Sequence, residues 1–469
     1  MPNPTEVVII KRDGSITPYT TYGSARASAV SGDLIQIRAD LNEQIVLKDL
    51  VDIWIMPGVV IDFVAVSPTP QGPTITDNNT AVTCNIYGMG IIKNTDTTTN
   101  GRYECIKLSN ASSKLSVECD YIEGVGGFTY ITSPPNPRIE FYGYSVTVSA
   151  SKFHLTCRSV ISKKSLAILI SSASDLNLNI ESVETGLDGT INSDNYNTGS
   201  TALITYGTGF IKINKILCRN VGHCLSVRGG SVIARIKNIK SQMNFIPPTP
   251  IQSPSISAVH VSQGSGTQKL VLYFDEISSL TGRVNSLAGI EVAQGTAIFI
   301  GRKIYSDNTL AVQIAGATTK GFLKCNEVIV NDGTAIVLND FNDQFLIDSN
   351  YIEGNSGAVI FSGGTNLASG NFFIRNAKII NKSNSSSARG IFLQNIYPKI
   401  ALNNVKIISG TDDGSNIFLN SGTSINVFNY GIFLNEGIDQ SKVVLKVGVG
   451  TSISDPGYNY QCIVSSLLT

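Results

Sequence analysis

Three acidic residues stand at matching points of a repeating sequence: Asp307, Asp332 and Glu353 lie four, three and five positions before Ala311, Ala335 and Ala358. If those alanines mark one point of a coil, consecutive coils stack the three carboxyl groups on one face. Glycosidic cleavage uses two carboxyl groups roughly 5–9.5 Å apart, one as acid and the other as base or nucleophile. Such a stack could supply them. Asp340, Asp343 and Asp348 form a weaker acidic group at the opposite turn. The histidines His154, His223 and His260 are isolated in the sequence and have no metal-ligand spacing, so neither a metal nor another cofactor is expected. His260 alternates with Val259 and Val261 and should face outward where the valines face in.

Residues so placed need a scaffold that repeats, and the chain contains one. A short strand with a small residue followed by apolar ones recurs at Ala167–Ile170, Ala202–Thr205, Cys224–Val227, Ala258–Val261 and Gly289–Val292. It continues at Ala311–Ile314, Ala335–Leu338, Ala358–Phe361, Gly390–Leu393 and Asn416–Leu419. The closest spacings are 22 to 24 residues, and those of 31 to 35 contain polar insertions. After a Gly- or Ser-rich turn comes a second strand of alternating character, interrupted by Asn326, Asn350, Asn376, Asn404 or Asn429. Asn214, Asn238, Asp120 and Asp275 hold the like place in earlier coils. A sharp bend there asks one residue to become left-handed, which most side chains resist by roughly 1–2 kcal/mol and Asn or Asp tolerate best. Stacking then makes a ladder of these side chains about 4.8 Å apart.

The pattern predicts an all-β fold, a single-stranded right-handed parallel β-helix of roughly a dozen coils. A leucine-rich horseshoe would show a fixed run of leucines and a helical return, and neither is visible. Tyr22–Val30 is the candidate capping helix, ending a lead-in of residues 1–30; coils fill 31–439, and 440–469 close the tube. A chain of 469 residues would otherwise exceed a single core. Equal numbers of basic and acidic residues, 35 each, with no basic cluster, argue against nucleic acid. No apolar run approaches the ~18 residues of a membrane span, and the start lacks a basic and apolar leader. We therefore expect no membrane insertion and synthesis in the cytoplasm. The eight cysteines are scattered, several at inward positions such as Cys119 and Cys325, and read as reduced core thiols.

A capping helix, then Ser31-Gly-Asp-Leu-Ile-Gln-Ile37, then coils with an apolar strand and an Asn turn resemble the pectate-lyase-like β-helix superfamily over nearly the whole chain. Within it the unbridged thiols and missing leader are most similar to phage tailspike and tail fibre proteins. The resemblance implies a cell-surface polysaccharide as partner, a homotrimer, attachment to a virion or tail, and a place on the virion, with an extracellular or cell-surface location as the alternative. It leaves catalysis open, because the superfamily holds lyases, hydrolases and binding proteins. Asn94-Thr-Asp96, Gly222-His223, Arg235-Ile-Lys237 and Asp412-Asp413 are similar to pieces of a polygalacturonase site. Asp96 and Asp412 are about a dozen coils apart, more than roughly 50 Å, so that site is not formed.

Insertions at 66–80, 94–102, 131–138, 186–200, 240–257, 278–288 and 381–388 mostly fall between the Asn-marked strand and the next short strand. Loops at one point of a repeat stand on one side of it. Asp188, Asp194, Tyr196 and Phe245, all on these insertions, are the carbohydrate-binding candidates. Three functions follow: a spike or adhesin that binds polysaccharide, a depolymerase that uses the surface carboxylates, or a purely structural part of a virion or secretion assembly. All require a β-dominated far-ultraviolet circular dichroism spectrum, and a helix-rich spectrum would reject the repeat.

Overall fold

The computed structural model describes residues 7–64, 72–95, 104–131, 138–142, 144–163, 166–186, 201–219, 223–243, 256–262, 268–281, 287–316, 319–339, 344–363, 371–383, 388–393, 399–403, 405–409, 415–419, 424–429, 445–447 and 452–453. They are nearly all β, and their strands pair mostly in parallel. The chain divides into two units, Met1–Ile236 and Lys237–Thr469.

The first unit opens on a feature the repeat did not announce. Val7–Ile10 pairs antiparallel with both Ile16–Tyr19 and Leu34–Ile37. Between the latter two lies the helix, at Tyr22–Ser28. The hydroxyl of Thr21 accepts from the Ser24 N–H at 3.1 Å and caps its start. At the other end the Lys48 ammonium donates to the carbonyls of Arg26 and Ala29, where a cation suits the helix dipole. Tyr22 and Ala25 are buried, and the Tyr22 hydroxyl donates to the Val46 carbonyl.

Beyond the helix each coil supplies a short strand, a turn, and a longer strand that bends. Register makes columns. Leu115, Phe153 and Leu176 pair in turn, as do Val117, Leu155, Leu178 and Ile211, and all are buried. Past the bend at Asp120 the inward column is Ile92, Ile122, Val160, Val183 and Ile216. Coils are also stapled through turns. The buried Asp77 carboxylate accepts from the N–H groups of Asn79, Ser109 and Asn110 and from the Ser113 hydroxyl. Seven cysteines are unbridged and buried, as the pattern predicts, and Cys462 lies outside the described residues. In the second unit burial pushes the Cys325 thiol up to about 12, which keeps it protonated and inert.

The second unit follows the same plan, with the buried column Leu272, Phe299, Leu323, Ile347 and Ile374. Volume alternates between coils. Phe274 pairs with Gly301, where an added Cβ would lie 2.3 Å from the Phe274 ring. Parallel pairing continues past residue 439, since Leu445–Val447 pairs with Ile417–Leu419 and Ser452–Ile453 with Ser424–Ile425.

The Asn bends need a correction. Register does align Arg302, Asn326 and Asn350, as flanking residues pair on both sides. Of the described Asn and Asp markers, however, Asn376 alone has a left-handed backbone, with φ 58°. The reason is continuity. Asp120, Asn214, Asn238, Asp275, Asn326 and Asn350 lie inside unbroken strands, so the chain turns there without leaving the extended region. Asn376 falls in the break between Asn371–Arg375 and Lys378–Asn381. Asn404 is outside the described residues. In urea unfolding, Asn376→Leu should therefore lose about 1–2 kcal/mol to backbone strain, and Asn350→Leu distinctly less; equal losses would contradict this account.

Candidate functional site

Most of the expected insertions lie largely outside the described residues, and within 66–80 Ile75–Thr76 is instead a buried strand of the stack, paired with Ile45–Val46 and Ile106–Lys107. One insertion is an antiparallel hairpin, Gly127–Ile131 with Arg138–Tyr142, between strands ending at Gly124 and beginning at Val146. Asp188, Asp194, Tyr196 and Phe245 lie outside the described residues, as do Asp340 and Asp343.

The register disperses the three predicted carboxylates. Asp332 pairs with Asn308, one position from Asp307, and Glu353 pairs with Ile329. Neighbouring residues of a strand point to opposite faces, so Asp307, Asp332 and Glu353 do not form one column. Each has its own setting. Asp307 accepts from the Tyr305 hydroxyl at 2.7 Å, and this bond, with burial, pushes the Tyr305 hydroxyl up to about 12. Asp332 is exposed. Glu353 is mostly buried, accepts from the Tyr351 hydroxyl, and lies 2.6 Å from the Lys382 ammonium. The carboxylate brought diagonally beside it is Glu327, because Glu327 pairs with Tyr351, two residues before Glu353. Such diagonal positions are roughly 7–8 Å apart, within the range of a glycosidase pair. Sequence spacing missed Glu327 because it measured from the wrong strand.

A second row lies on strand segments past the bend, in Ile256–Val261, Leu287–Val292, the last parts of Gly295–Ala315 and Thr319–Asn339, Ala358–Gly363 and Arg389–Leu393. His260, Glu291, Gln313, Val337, Phe361 and Phe392 pair successively in the second unit. Their strand neighbours Val259, Ile290, Val312, Ile336, Ile360 and Ile391 are buried, so the row lies on the other face, where Gln313, Phe361 and Phe392 are half-buried and Glu291 and Val337 are covered. Glu291 accepts from the Ser257 hydroxyl at 3.3 Å, and His260 Nε2 lies 3.8 Å from the same oxygen. Further along, the Phe361 and Phe392 ring centroids are 5.4 Å apart, and the Arg389 guanidinium lies 4.4 Å over Phe392. The motif Ala358–Phe361 reads Phe361 as inward. Pairing Ile336 with Ile360 shifts that coil by one residue and turns the ring outward.

The first unit carries an ionic row after its bend. Glu123 is 2.5 Å from the Lys163 ammonium and 3.4 Å from that of Lys93, and Lys215 reaches Glu184 at 3.1 Å. His154 bonds Asp175 at 2.9 Å, and His223 is buried. Among the described residues no group of three or more His, Cys, Asp or Glu could hold a metal ion. No helix among the described residues is long and apolar enough to cross a membrane. No family description, curated protein or solved structure matches the chain.

Burial works to raise the Glu123 carboxyl, but hydrogen bonding and charge from Lys163 and Lys93 reverse this and hold it below the usual carboxylate range. A lowered folded value gives stability that is complete above the unfolded value of about 4.5 and is lost as pH falls through the folded one. Glu123→Gln should accordingly flatten the pH dependence of urea stability below about pH 5 and leave its slope at neutral pH unchanged.

Proposed function

We propose that the chain winds as a single-stranded, right-handed parallel β-helix of the pectate-lyase-like kind and binds cell-surface polysaccharide along its loop-bearing side, in the manner of a tailspike or adhesin. The observation that carries this reading is the outward row from His260 to Phe392. A sugar ring offers an apolar face and a rim of hydroxyls. The row offers aromatic faces at Phe361 and Phe392, and polar partners at Gln313 and Arg389, spaced about 4.8 Å from coil to coil. A linear row suits a linear polymer, whose binding free energy is gathered over several units. The corresponding location is a virion tail or another surface appendage.

Phe361→Ala and Phe392→Ala should each weaken retention of the host polysaccharide in affinity electrophoresis by about fivefold, the equivalent of ~1 kcal/mol of ring contact. Deleting residues 245–255 should weaken it too, with little change in melting temperature, since the strands on either side, Ser231–Met243 and Ile256–Val261, are left whole. Unchanged retention in all three would reject the site. The diagonal placement of Glu327 and Glu353 favours a second reading, a polysaccharide depolymerase. In that case Glu327→Gln and Glu353→Gln abolish release of reducing ends and preserve binding.

A further inference from the structure

The longer strands of the second unit carry an outward column that is apolar throughout its described side chains. Val271, Ile298, Phe322, Leu346 and Phe373 pair in turn, and the register continues to Ala401 and Phe428. Their neighbours Leu270, Leu272, Phe299, Leu323, Phe345, Ile347 and Ile374 already fill the inside. Phe373 remains 38% exposed, and Tyr273 beside the column 40%. The first unit provides an internal control. At the same point of its coils stand Asn85, Ser116, His154, Asn177 and then Phe210. Coil geometry thus does not require apolar residues outside, and a contiguous apolar surface with polar edges marks an interaction site.

We propose that this stripe is where a second copy of the chain docks, side by side and parallel, about a twofold axis along the coil stack. Two edges flank it: Lys269, Thr296, Lys320 and Gln344 on one side, and Tyr273, Ile300, Lys324, Asp348 and Arg375 on the other. A parallel twofold contact sets each edge against the opposite edge of the other copy at the same coil. Lys269 then meets the Tyr273 ring, and Gln344 meets Asp348, which Arg375 already holds at 2.8 Å. Lys320 meets Lys324, the one like-charge contact in this arrangement. An antiparallel contact would instead lay the Lys269 and Lys320 edge on its own copy. Both copies share the ~4.8 Å coil period, so side chains stay in step along the whole stripe. The face over the five described coils is roughly 24 Å by 15 Å, so two copies cover on the order of 700 Å², a size that suits a weak, reversible association. This twofold pairing differs from the threefold association implied by the resemblance and is independent of the polysaccharide reading.

Sedimentation velocity of the full chain over a micromolar concentration series tests it. A reversible dimer is expected. Leu346→Lys, which puts a charge in the centre of the stripe, should weaken association at least tenfold without lowering the melting temperature. Lys320→Glu should strengthen it severalfold, because the new carboxylate faces Lys324 of the other copy. A parent protein that stays monomeric to about 100 µM, a trimer, or a dimer indifferent to both substitutions would overturn the proposal.

Discussion

Parallel backbone pairing from coil to coil is the constraint on which everything else in each unit depends. It fixes which residue sits above which, and the two-residue period of a strand then decides which side of the sheet each column faces. Once Cys119 is paired with Cys157 and Ile180, the positions of Glu118, Thr156 and Asn179 outside are settled as well. Coils may lengthen at a turn without disturbing this order, because a loop that leaves the sheet adds no rung.

Stacking identical positions every ~4.8 Å also limits what can be stacked. Branched aliphatic side chains repeat well, and the interior columns of both units are built from them. A large ring does not, and Phe274 is accommodated because Gly301 follows it in the next coil. Polar residues in the stack are held by donors of neighbouring coils. Asp77 is the clearest instance: four donors surround a buried carboxylate that would otherwise be costly to desolvate.

Outside, the same stacking turns single residues into rows. The row from His260 to Phe392 and the stripe from Val271 to Phe373 differ in character because they lie on different strands of the coil. One mixes carboxylate, amide and aromatic groups. The other is apolar and edged by a mixture of basic and uncharged side chains with the single carboxylate of Asp348. Rows of this kind present extended rather than point-like recognition surfaces, which suits polymers and other long faces.

By itself the sequence determined the all-β, repeating strand architecture, the helix near Tyr22 and the inward cysteines, because each follows from a local period or a local preference. It could not set the register between coils. Aligning coils on Ala311, Ala335 and Ala358 suggested a carboxylate stack; backbone pairing aligns Ile336 with Ile360 and removes it, bringing Glu327 beside Glu353 and turning Phe361 outward. Likewise Asn326 and Asn376 look equivalent in sequence, but a continuous strand carries the first through its bend while a broken one forces the second to be left-handed. Pairing between distant residues is a tertiary property, and a slip of one residue costs a periodic sequence little locally while it reverses every side chain on the strand.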